Sequence, residues 1–280
     1  MTHPNFSPVA LTIPWVNFDV YWYGIIFAFG IFLAIQCYIS MLSQDGIPQQ
    51  SILSHTNYSI IVLIFFTLMG ARLIEAIFYS PDLLLSLTHF LNLRAGGLAS
   101  HGAVLGFLLA MSLIPPPTPL SSLQLLDRLF LCVLPLLSLI RVANFINQEI
   151  IGKTTAASWA MIFPAYDLQA RHPVMLYEAF LYALLFGFLW FLNSRLHFIK
   201  KEQATLPEGV LGLSTLSLAL CIRIFCETYK LEQSQWMLPF QHDLAFTMGQ
   251  LLSLLILVPV LLCICALSLP CLRNSDHKNP

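Results

Sequence analysis

The sequence predicts an all-α protein, a polytopic helical membrane protein with about seven transmembrane helices. Of its 280 residues, 58% are hydrophobic and only 10% are charged, whereas soluble domains carry about a quarter charged residues. The apolar runs are continuous over roughly 20 residues, the length that crosses a bilayer core as a helix. The net charge of −1 offers no basic surface for nucleic acid, so we expect no nucleic-acid partner.

The apolar runs divide the chain into seven expected spans within one integral membrane domain, residues 1–280. In chain order they are residues 21–42, 57–79, 101–114, 123–147, 173–194, 208–230 and 243–269. The first follows a polar stretch without lysine or arginine, so it is interpreted as a retained span and not as a signal peptide. The third is short, and the sequence leaves open whether it crosses or re-enters.

Two connections are long enough to carry function. Residues 79–100 are too polar and too rich in glycine for a span, which predicts an interfacial segment that re-enters toward the third span. Residues 148–172 form the longest hydrophilic connection. The proline-rich turn at 114–122 ends the third span, because proline cannot continue a helix.

Basic residues predict the orientation. Arg195, Lys200 and Lys201 lie between the fifth and sixth spans, and Arg273 and Lys278 lie in the C-terminal tail. Lysine and arginine favour the cytoplasmic side, so the N-terminus is expected outside and the C-terminus in the cytoplasm. The polar ends of the third to sixth spans then face the outer side.

The stretch RVANFINQEIIG (141–152) concentrates polar residues at the end of the fourth span. If the helix continues, Arg141, Asn144 and Gln148 lie within about 60° of one another, with Glu149 further round the same side. An interfacial helix end with a snorkelling arginine is the structural alternative. Because additional amides and a carboxylate are costly at membrane depth, we favour a cavity-facing polar surface.

The stretch GGLASHGAVLG (96–106) opens the third span. Gly96 and Gly97 permit an unusual turn, and Gly102 and Gly106 form a small-residue face for close helix packing. His101 can accept or donate a proton near neutral pH. A purely structural hydrogen-bonding role for this histidine is equally open.

Three further acidic residues lie in or beside apolar runs. Arg223 and Glu227 are spaced i,i+4 and can form an ion pair. A purely structural role for this pair and a role in function are both open. Glu75 follows Arg72 in GARLIEA, a less specific pair, and Glu178 lies in the first turns of the fifth span.

Several arginines facing an outer cavity favour an anionic ligand, because guanidinium binds phosphate in a fixed bidentate geometry. A phosphate reached from within a bilayer is most simply a phospholipid head group. With His101 and Glu149 as proton carriers, the residues favour transfer of a lipid-derived group. The alternative is a phospholipid- or anion-handling membrane transporter, which would favour midplane ionisable residues and internal repeats.

RVANFINQEIIG resembles the Arg-x-Gly-Asn-Phe-Ile-Asn-Gly-Glu-x-x-Gly signature of bacterial prolipoprotein diacylglyceryl transferases. Further stretches resemble that family in the same order, over nearly the whole chain: WYG (22–24), GARL (70–73), GGLASHGAVLG (96–106), HPVMLYEA (172–179), the pair Arg223 and Glu227, and TMGQ (247–250). This chain departs from the family pattern at Ile140, Ala143, Gln148, Ala219 and Lys230.

The resemblance implies an enzyme of the bacterial inner (cytoplasmic) membrane with its active site toward the periplasm, where segments 79–100 and 148–172 would lie. It implies transfer of the diacylglyceryl group of phosphatidylglycerol, a membrane lipid, to the lipobox cysteine of a prolipoprotein signal peptide. A thioether forms and glycerol phosphate leaves. Neither a metal nor a cofactor is expected.

The resemblance also implies site residues. The expected catalytic residues are His101, Arg141, Glu149 and Arg223. The expected substrate-binding residues are Tyr23, Arg141, Asn144, Gly152 and Glu227. His101 is the leading candidate for the base and Glu149 the alternative, the arginines would stabilise the leaving phosphate, and Glu227 would fix Arg223.

Overall fold

The computed structural model describes residues 1–4, 6–92, 97–199, 206–231 and 246–275. Within these ranges the chain forms eight α-helices. They are α1 (Trp22–Gln44), α2 (Gln49–Phe78), α3 (Leu87–Leu91), α4 (Ser100–Leu113), α5 (Ser122–Ile146), α6 (Val174–Ile199), α7 (Val210–Glu227) and α8 (Met248–Ser275).

Six of these helices are long and apolar enough to cross a membrane: α1, α2, α5, α6, α7 and α8. The predicted polytopic helical membrane protein is therefore confirmed. The third expected span is α4, whose 14 residues make a helix about 21 Å long. That length is less than a hydrocarbon core of about 30 Å, so the helix alone does not span it.

Several helix boundaries differ from the expected ones, among them the ends of α6 and α8, which lie five and six residues later than expected. The helix α2 begins at Gln49, directly after Pro48, because the polar residues before the apolar run at 57 are also helical. The helix α7 ends at Glu227 and leaves Lys230 outside it. The helix α8 begins at Met248, and residues 243–245 of the expected span lie outside the described residues.

Two small antiparallel sheets accompany the helices. Strands β1 (Val9–Ile13) and β2 (Phe18–Tyr21) form a hairpin that leads directly into α1, and β3 (Met161–Ile162) pairs with β4 (Ala170–Arg171). These strands were not expected from the sequence. Strands of two to five residues are too short to show a clear alternation of apolar and polar residues.

The described residues form two groups of segments, each with its own internal packing. The first contains residues 1–38, 127–231 and 254–275, and the second contains residues 39–126 and 246–253. A single integral membrane domain over residues 1–280 stays a prediction.

In the second group, glycines bring α2 and α4 into close contact. A Cβ added to Gly102 would overlap the carbonyl of Gly70, and one added to Gly106 would overlap the carbonyl of Phe66. The predicted small-residue face for helix packing is therefore confirmed. The contact positions the first turn of α4, where His101 lies.

Gly106→Ala is expected to destabilise the protein, because a methyl group forced against the Phe66 carbonyl overpacks the contact, at a cost of about 1–3 kcal/mol. Thermal unfolding in detergent should show a lower midpoint. Gly187→Ala is the matched control, since Gly187 lies in α6 with nothing within 4 Å of an added Cβ. A midpoint for Gly106→Ala equal to that of the control would contradict the close contact.

In the first group, Asp127 fixes the first turn of α7. Its carboxylate accepts hydrogen bonds from the backbone N–H of Gly209 at 2.9 Å and of Gly212 at 2.6 Å. The first turn of a helix has N–H groups without intrahelical partners, and Asp127 supplies acceptors from α5. The bonds tie α5 to one end of α7, and Arg223 lies near the other end.

Candidate active site

The signature stretch leaves the helix earlier than expected. The helix α5 ends at Ile146, and Gln148 and Ile150 have left-handed backbones with φ of 55° and 59°. The prediction that Gln148 extends the helical polar face is therefore wrong. Its side chain instead accepts a hydrogen bond from the backbone N–H of Ala165 at 3.0 Å.

The left-handed backbone makes one departure from the family pattern unfavourable. Gln148 stands where the family signature has a glycine, and glycine adopts positive φ without the steric penalty of other residues. A second departure, Ala143, is fully buried in α5. The turn at 146–150 is therefore strained and depends on neighbouring contacts to hold its shape.

This turn brings three predicted site residues into one hydrogen-bonded chain. Arg141 donates through Nη1 to Oδ1 of Asn144 at 3.2 Å, and Asn144 donates through Nδ2 to Oε2 of Glu149 at 2.8 Å. Asn147 donates to the other carboxylate oxygen of Glu149 at 3.1 Å. Arg141 and Asn144 are buried, whereas Glu149 is exposed.

Glu178 lies at the centre of the site, with an exposed fraction of 0%. Its Oε2 is 2.8 Å from Nε of Arg141, and its Oε1 is 2.7 Å from Nζ of Lys230 and 3.4 Å from Nη1 of Arg223. A buried carboxylate is tolerated where cations compensate its charge. Here three cations from three parts of the chain meet on one carboxylate.

Glu227 completes the buried set. Its Oε2 is 3.4 Å from Nε of Arg223 and 3.3 Å from Nζ of Lys230, so the predicted pairing of Arg223 with Glu227 is confirmed. We call Arg141, Glu178, Arg223, Glu227 and Lys230 the ion cluster. Its three cations and two carboxylates leave one net positive charge.

Lys230 is the most buried cation of the ion cluster, with 1% of its surface exposed. Burial and, to a smaller extent, the nearby Arg223 lower the pKa of Lys230 to about 8, while Glu178 opposes the shift. The ammonium is therefore still mostly protonated at pH 7. Lysine stands here in place of the arginine of the family pattern.

Tyr23 and Gly152 adjoin the same site. The side chain of Tyr23, at the start of α1, hydrogen-bonds Asn144 and lies close to the charges of Glu149 and Arg141. A Cβ on Gly152 would overlap the carbonyl of His172, so this position accepts only glycine without rearrangement.

The backbone around Gly152 also positions Lys230. The N–H of Lys153 donates to the carbonyl of Tyr229 at 2.7 Å, and that of Leu231 donates to the carbonyl of Ile151 at 3.1 Å. These bonds form an antiparallel bridge between Gly152 and Lys230. The signature stretch and the segment after α7 are therefore joined through their main chains.

Gly152→Ala is expected to lower transfer activity at least tenfold, because the added methyl group must push the His172 backbone away and disturb the bridge to Lys230. The matched control is Gly24→Ala, where an added Cβ has open space. Steady-state kinetics on both variants provide the measurement. Wild-type activity in Gly152→Ala would show that the close approach to His172 is not needed.

His101 belongs to the second group of segments and is buried. Its Nε2 lies 2.9 Å from Oγ of Ser253, and that hydroxyl donates its one proton to the carbonyl of Gly249 at 2.7 Å. Nε2 of His101 is therefore the donor to Ser253. The contact with Ser253 orients the ring of His101 at the start of α4.

Arg72 organises the segment before α4. It donates to the carbonyls of His89 and Phe90 at 2.8 Å, of Gly97 at 2.9 Å and of Asn92 at 3.2 Å. Gly97 has the predicted unusual turn, with φ of 75°. Gly96 lies outside the described residues.

Sequence reasoning noted Glu178 and Lys230 but did not include them among the site residues. The available signal was Glu178 itself, an ionisable side chain about one turn into an otherwise apolar span. Such a side chain is costly within a membrane unless it is paired. Spacing along the chain could not reveal their partners, because Glu178 and Lys230 are 52 positions apart.

Comparisons with known proteins agree with the sequence resemblance. A family model for prolipoprotein diacylglyceryl transferase matches residues 8–266. A phosphatidylglycerol–prolipoprotein diacylglyceryl transferase of Chloroherpeton thalassium is 36% identical over 235 residues, covering 83% of this chain and 82% of the relative. One of the same name from Chlamydia pneumoniae is 34% identical over 290 residues, covering 94% of each chain.

Proposed function

Because this chain belongs to the prolipoprotein diacylglyceryl transferase family, we propose that its ion cluster binds the head group of phosphatidylglycerol during diacylglyceryl transfer. The protein is a membrane-bound transferase with phosphatidylglycerol–prolipoprotein diacylglyceryl transferase activity. The transporter alternative is not favoured, since the named relatives are transferases.

One observation carries this proposal. Arg141 and Arg223 are both held by Glu178, in a buried set with one net positive charge. A phosphodiester carries one negative charge and is bound well by guanidinium groups. Binding of phosphatidylglycerol would therefore neutralise the cluster, and Asn144 and Tyr23 lie next to Arg141 to position the head group.

In the proposed reaction, the lipobox cysteine of the prolipoprotein loses its thiol proton to a base. The thiolate sulfur forms a bond to the terminal glyceryl carbon of the diacylglyceryl group, and the bond from that carbon to the phosphate oxygen breaks. The bonding electrons leave with the oxygen, so glycerol phosphate gains a negative charge. Arg141 and Arg223 stabilise that charge, as preorganised donors do in other active sites.

His101 is the leading candidate for the base, supported by the ability of imidazole to accept a proton near neutral pH and by the contact with Ser253 that orients its ring. Glu149 is the alternative, supported by its exposure and by the hydrogen bonds from Asn144 and Asn147. A free thiol has a pKa of about 8.5, so either base would raise the thiolate fraction at neutral pH.

Glu227 and Gly152 support substrate binding indirectly in this proposal. Glu227 lies against Arg223 and Lys230 and fixes their orientation, as the ion-pair distances indicate. Gly152 allows the main chain to approach His172 closely. In this proposal, Glu227 positions Arg223 and Lys230, and Gly152 positions the main chain that follows the turn.

We propose the bacterial inner membrane as the location of this multi-pass protein, with the N-terminus outside, the C-terminus cytoplasmic and the active site periplasmic. Arg195 near the end of α6 supports this orientation, and Lys200, Lys201 and Lys278 lie outside the described residues. Alkaline phosphatase fused after residue 280 should be inactive. An active fusion would show that the C-terminus lies on the periplasmic side and would contradict the proposed orientation.

The function is tested with the purified full-length protein in detergent, phosphatidylglycerol vesicles or micelles, and a lipobox peptide. Glycerol phosphate release and a matching mass gain on the peptide are expected. A peptide with serine in place of the cysteine is the control. Since detergent abolishes gradients, transport cannot produce the product, and no release with an unmodified peptide would refute the transferase.

A further inference from the structure

Residues 1–3 lie alongside the small sheet near the signature stretch. The N–H of His3 donates to the carbonyl of Ile162 at 2.8 Å, and the N–H of Ile162 donates to the carbonyl of Met1 at 2.8 Å. Thr2 pairs with Ile162 in a parallel bridge, and Ile162 belongs to β3. The segment is thereby held in register beside β3.

This register buries the side chain of His3, which is 2% exposed. The centroid of its ring lies 4.7 Å from that of Phe145 and 5.7 Å from that of Phe163, with an edge contact on Phe145. Phe145 and Phe163 pack in the apolar cluster with Ile151 and Met175. His3 is therefore part of the packing on which the signature stretch rests.

The imidazole also makes a polar contact with this stretch. Burial lowers the pKa of His3, and a hydrogen bond to the backbone of Phe145 partly opposes that shift. A hydrogen bond that favours the charged form identifies the ring as the donor and the Phe145 carbonyl as the acceptor. A neutral ring has one N–H, so this bond fixes the ring's orientation.

The carbonyl of Phe145 begins the strained turn. It also accepts the N–H of Gln148 at 3.1 Å, and the next bond runs from the N–H of Glu149 to the carbonyl of Asn144 at 2.9 Å. Because Gln148 and Ile150 have positive φ, the turn relaxes to other conformations unless contacts outside it hold it. His3 supplies two such contacts, a packed ring and a hydrogen bond.

We propose that His3 is a positioning residue for diacylglyceryl transfer, holding Phe145 so that the turn at 146–150 presents Glu149 to Asn144. The inference rests on the proposed function, because it assigns His3 a role through Asn144 and Glu149. His3 lies outside the ion cluster, so its effect on transfer would pass through the main chain at Phe145.

Two variants of the full-length protein separate the contacts. His3→Phe keeps an aromatic ring between Phe145 and Phe163 but removes the N–H donor, and His3→Ala removes both. His55→Ala is the matched control, since His55 also bonds a backbone carbonyl, that of Pro115 at 2.9 Å, but lies in the second group of segments.

We expect kcat per folded molecule to fall about tenfold in His3→Phe, with its unfolding midpoint within a few degrees of wild type. Hydrogen exchange of a peptide covering residues 144–151 should become faster in the same variant. His3→Ala should lose activity and stability together, and His55→Ala should keep wild-type kcat.

Wild-type kcat in both His3 variants, or a loss that only follows the folded fraction, would overturn the positioning role while leaving the transferase intact. Unchanged exchange over residues 144–151 would overturn it as well. If the wild-type protein itself released no glycerol phosphate, the proposed function would fail first, and the His3 proposal would fall with it.

Discussion

Arg141→Ala is expected to abolish diacylglyceryl transfer while the protein remains folded. Arg141 connects the ion cluster with the hydrogen-bonded residues of the turn. Its Nε lies 2.8 Å from Glu178, and its Nη1 donates to Asn144 at 3.2 Å. Its removal deletes one of two guanidinium groups that would stabilise the leaving phosphate. Loss of one preorganised donor of this kind lowers kcat by roughly 10² to 10³.

The fold is expected to survive because Glu178 keeps Lys230 and Arg223 as partners. The ion cluster then has two cations and two carboxylates and is electrically neutral. This neutral cluster no longer attracts a phosphodiester, so weaker binding of phosphatidylglycerol should accompany the lower kcat. Arg141→Lys should keep charge but lose the guanidinium fork, and should show intermediate activity.

The measurement is glycerol phosphate release, together with an unfolding midpoint in detergent for each variant. Arg195→Ala is the matched control, because this exposed arginine of α6 contacts the ring of Phe191 and takes no part in the site. Full activity in Arg141→Ala, in protein folded as well as wild type, would remove Arg141 from the mechanism.

Much of the fold could be predicted from the sequence because hydrophobic length alone selects membrane-spanning helices. The same pattern is insensitive to polar residues that continue a helix beyond the bilayer, and for that reason the start of α2 was placed eight residues late. The end of α5 was predicted to within one residue, but the turn that carries Gln148 out of the helical polar face was not. Whether residues 147–150 stay helical depends on contacts with distant segments, among them Ala165 and residues 1–3.

The candidate site was predicted in part. Arg141, Asn144 and Glu149 are close in sequence, so their proximity follows from local geometry. Arg223 and Glu227 pair across one helical turn for the same reason. Glu178 and Lys230 could not be assigned in this way, because their partners come from other helices and only the folded chain shows that one carboxylate contacts three cations.

Glu178→Gln is expected to have the second large effect, on both stability and activity. The variant leaves three cations with Glu227 as the remaining carboxylate, which raises the net charge of the ion cluster from +1 to +2. Breaking a buried ion pair by removing one partner costs about 3–5 kcal/mol. Repulsion among Arg141, Arg223 and Lys230 should displace both arginines and lower transfer at least a hundredfold.

A second substitution separates charge from geometry. Glu178→Gln combined with Lys230→Gln restores the net charge to +1, so the unfolding midpoint should recover part of the loss caused by Glu178→Gln. Activity should not recover, since Arg141 still lacks the carboxylate that holds its Nε. Lys230→Gln alone completes the cycle, which measures the coupling between the two positions.

The sign of that coupling decides the interpretation. If Glu178 compensates buried positive charge, the double variant is more stable than the sum of the two single losses predicts. Strictly additive losses would mean that Glu178 and Lys230 act independently despite the 2.7 Å contact. Recovery of activity with stability would show that net charge, and not the placement of Arg141 by Glu178, is what the reaction requires.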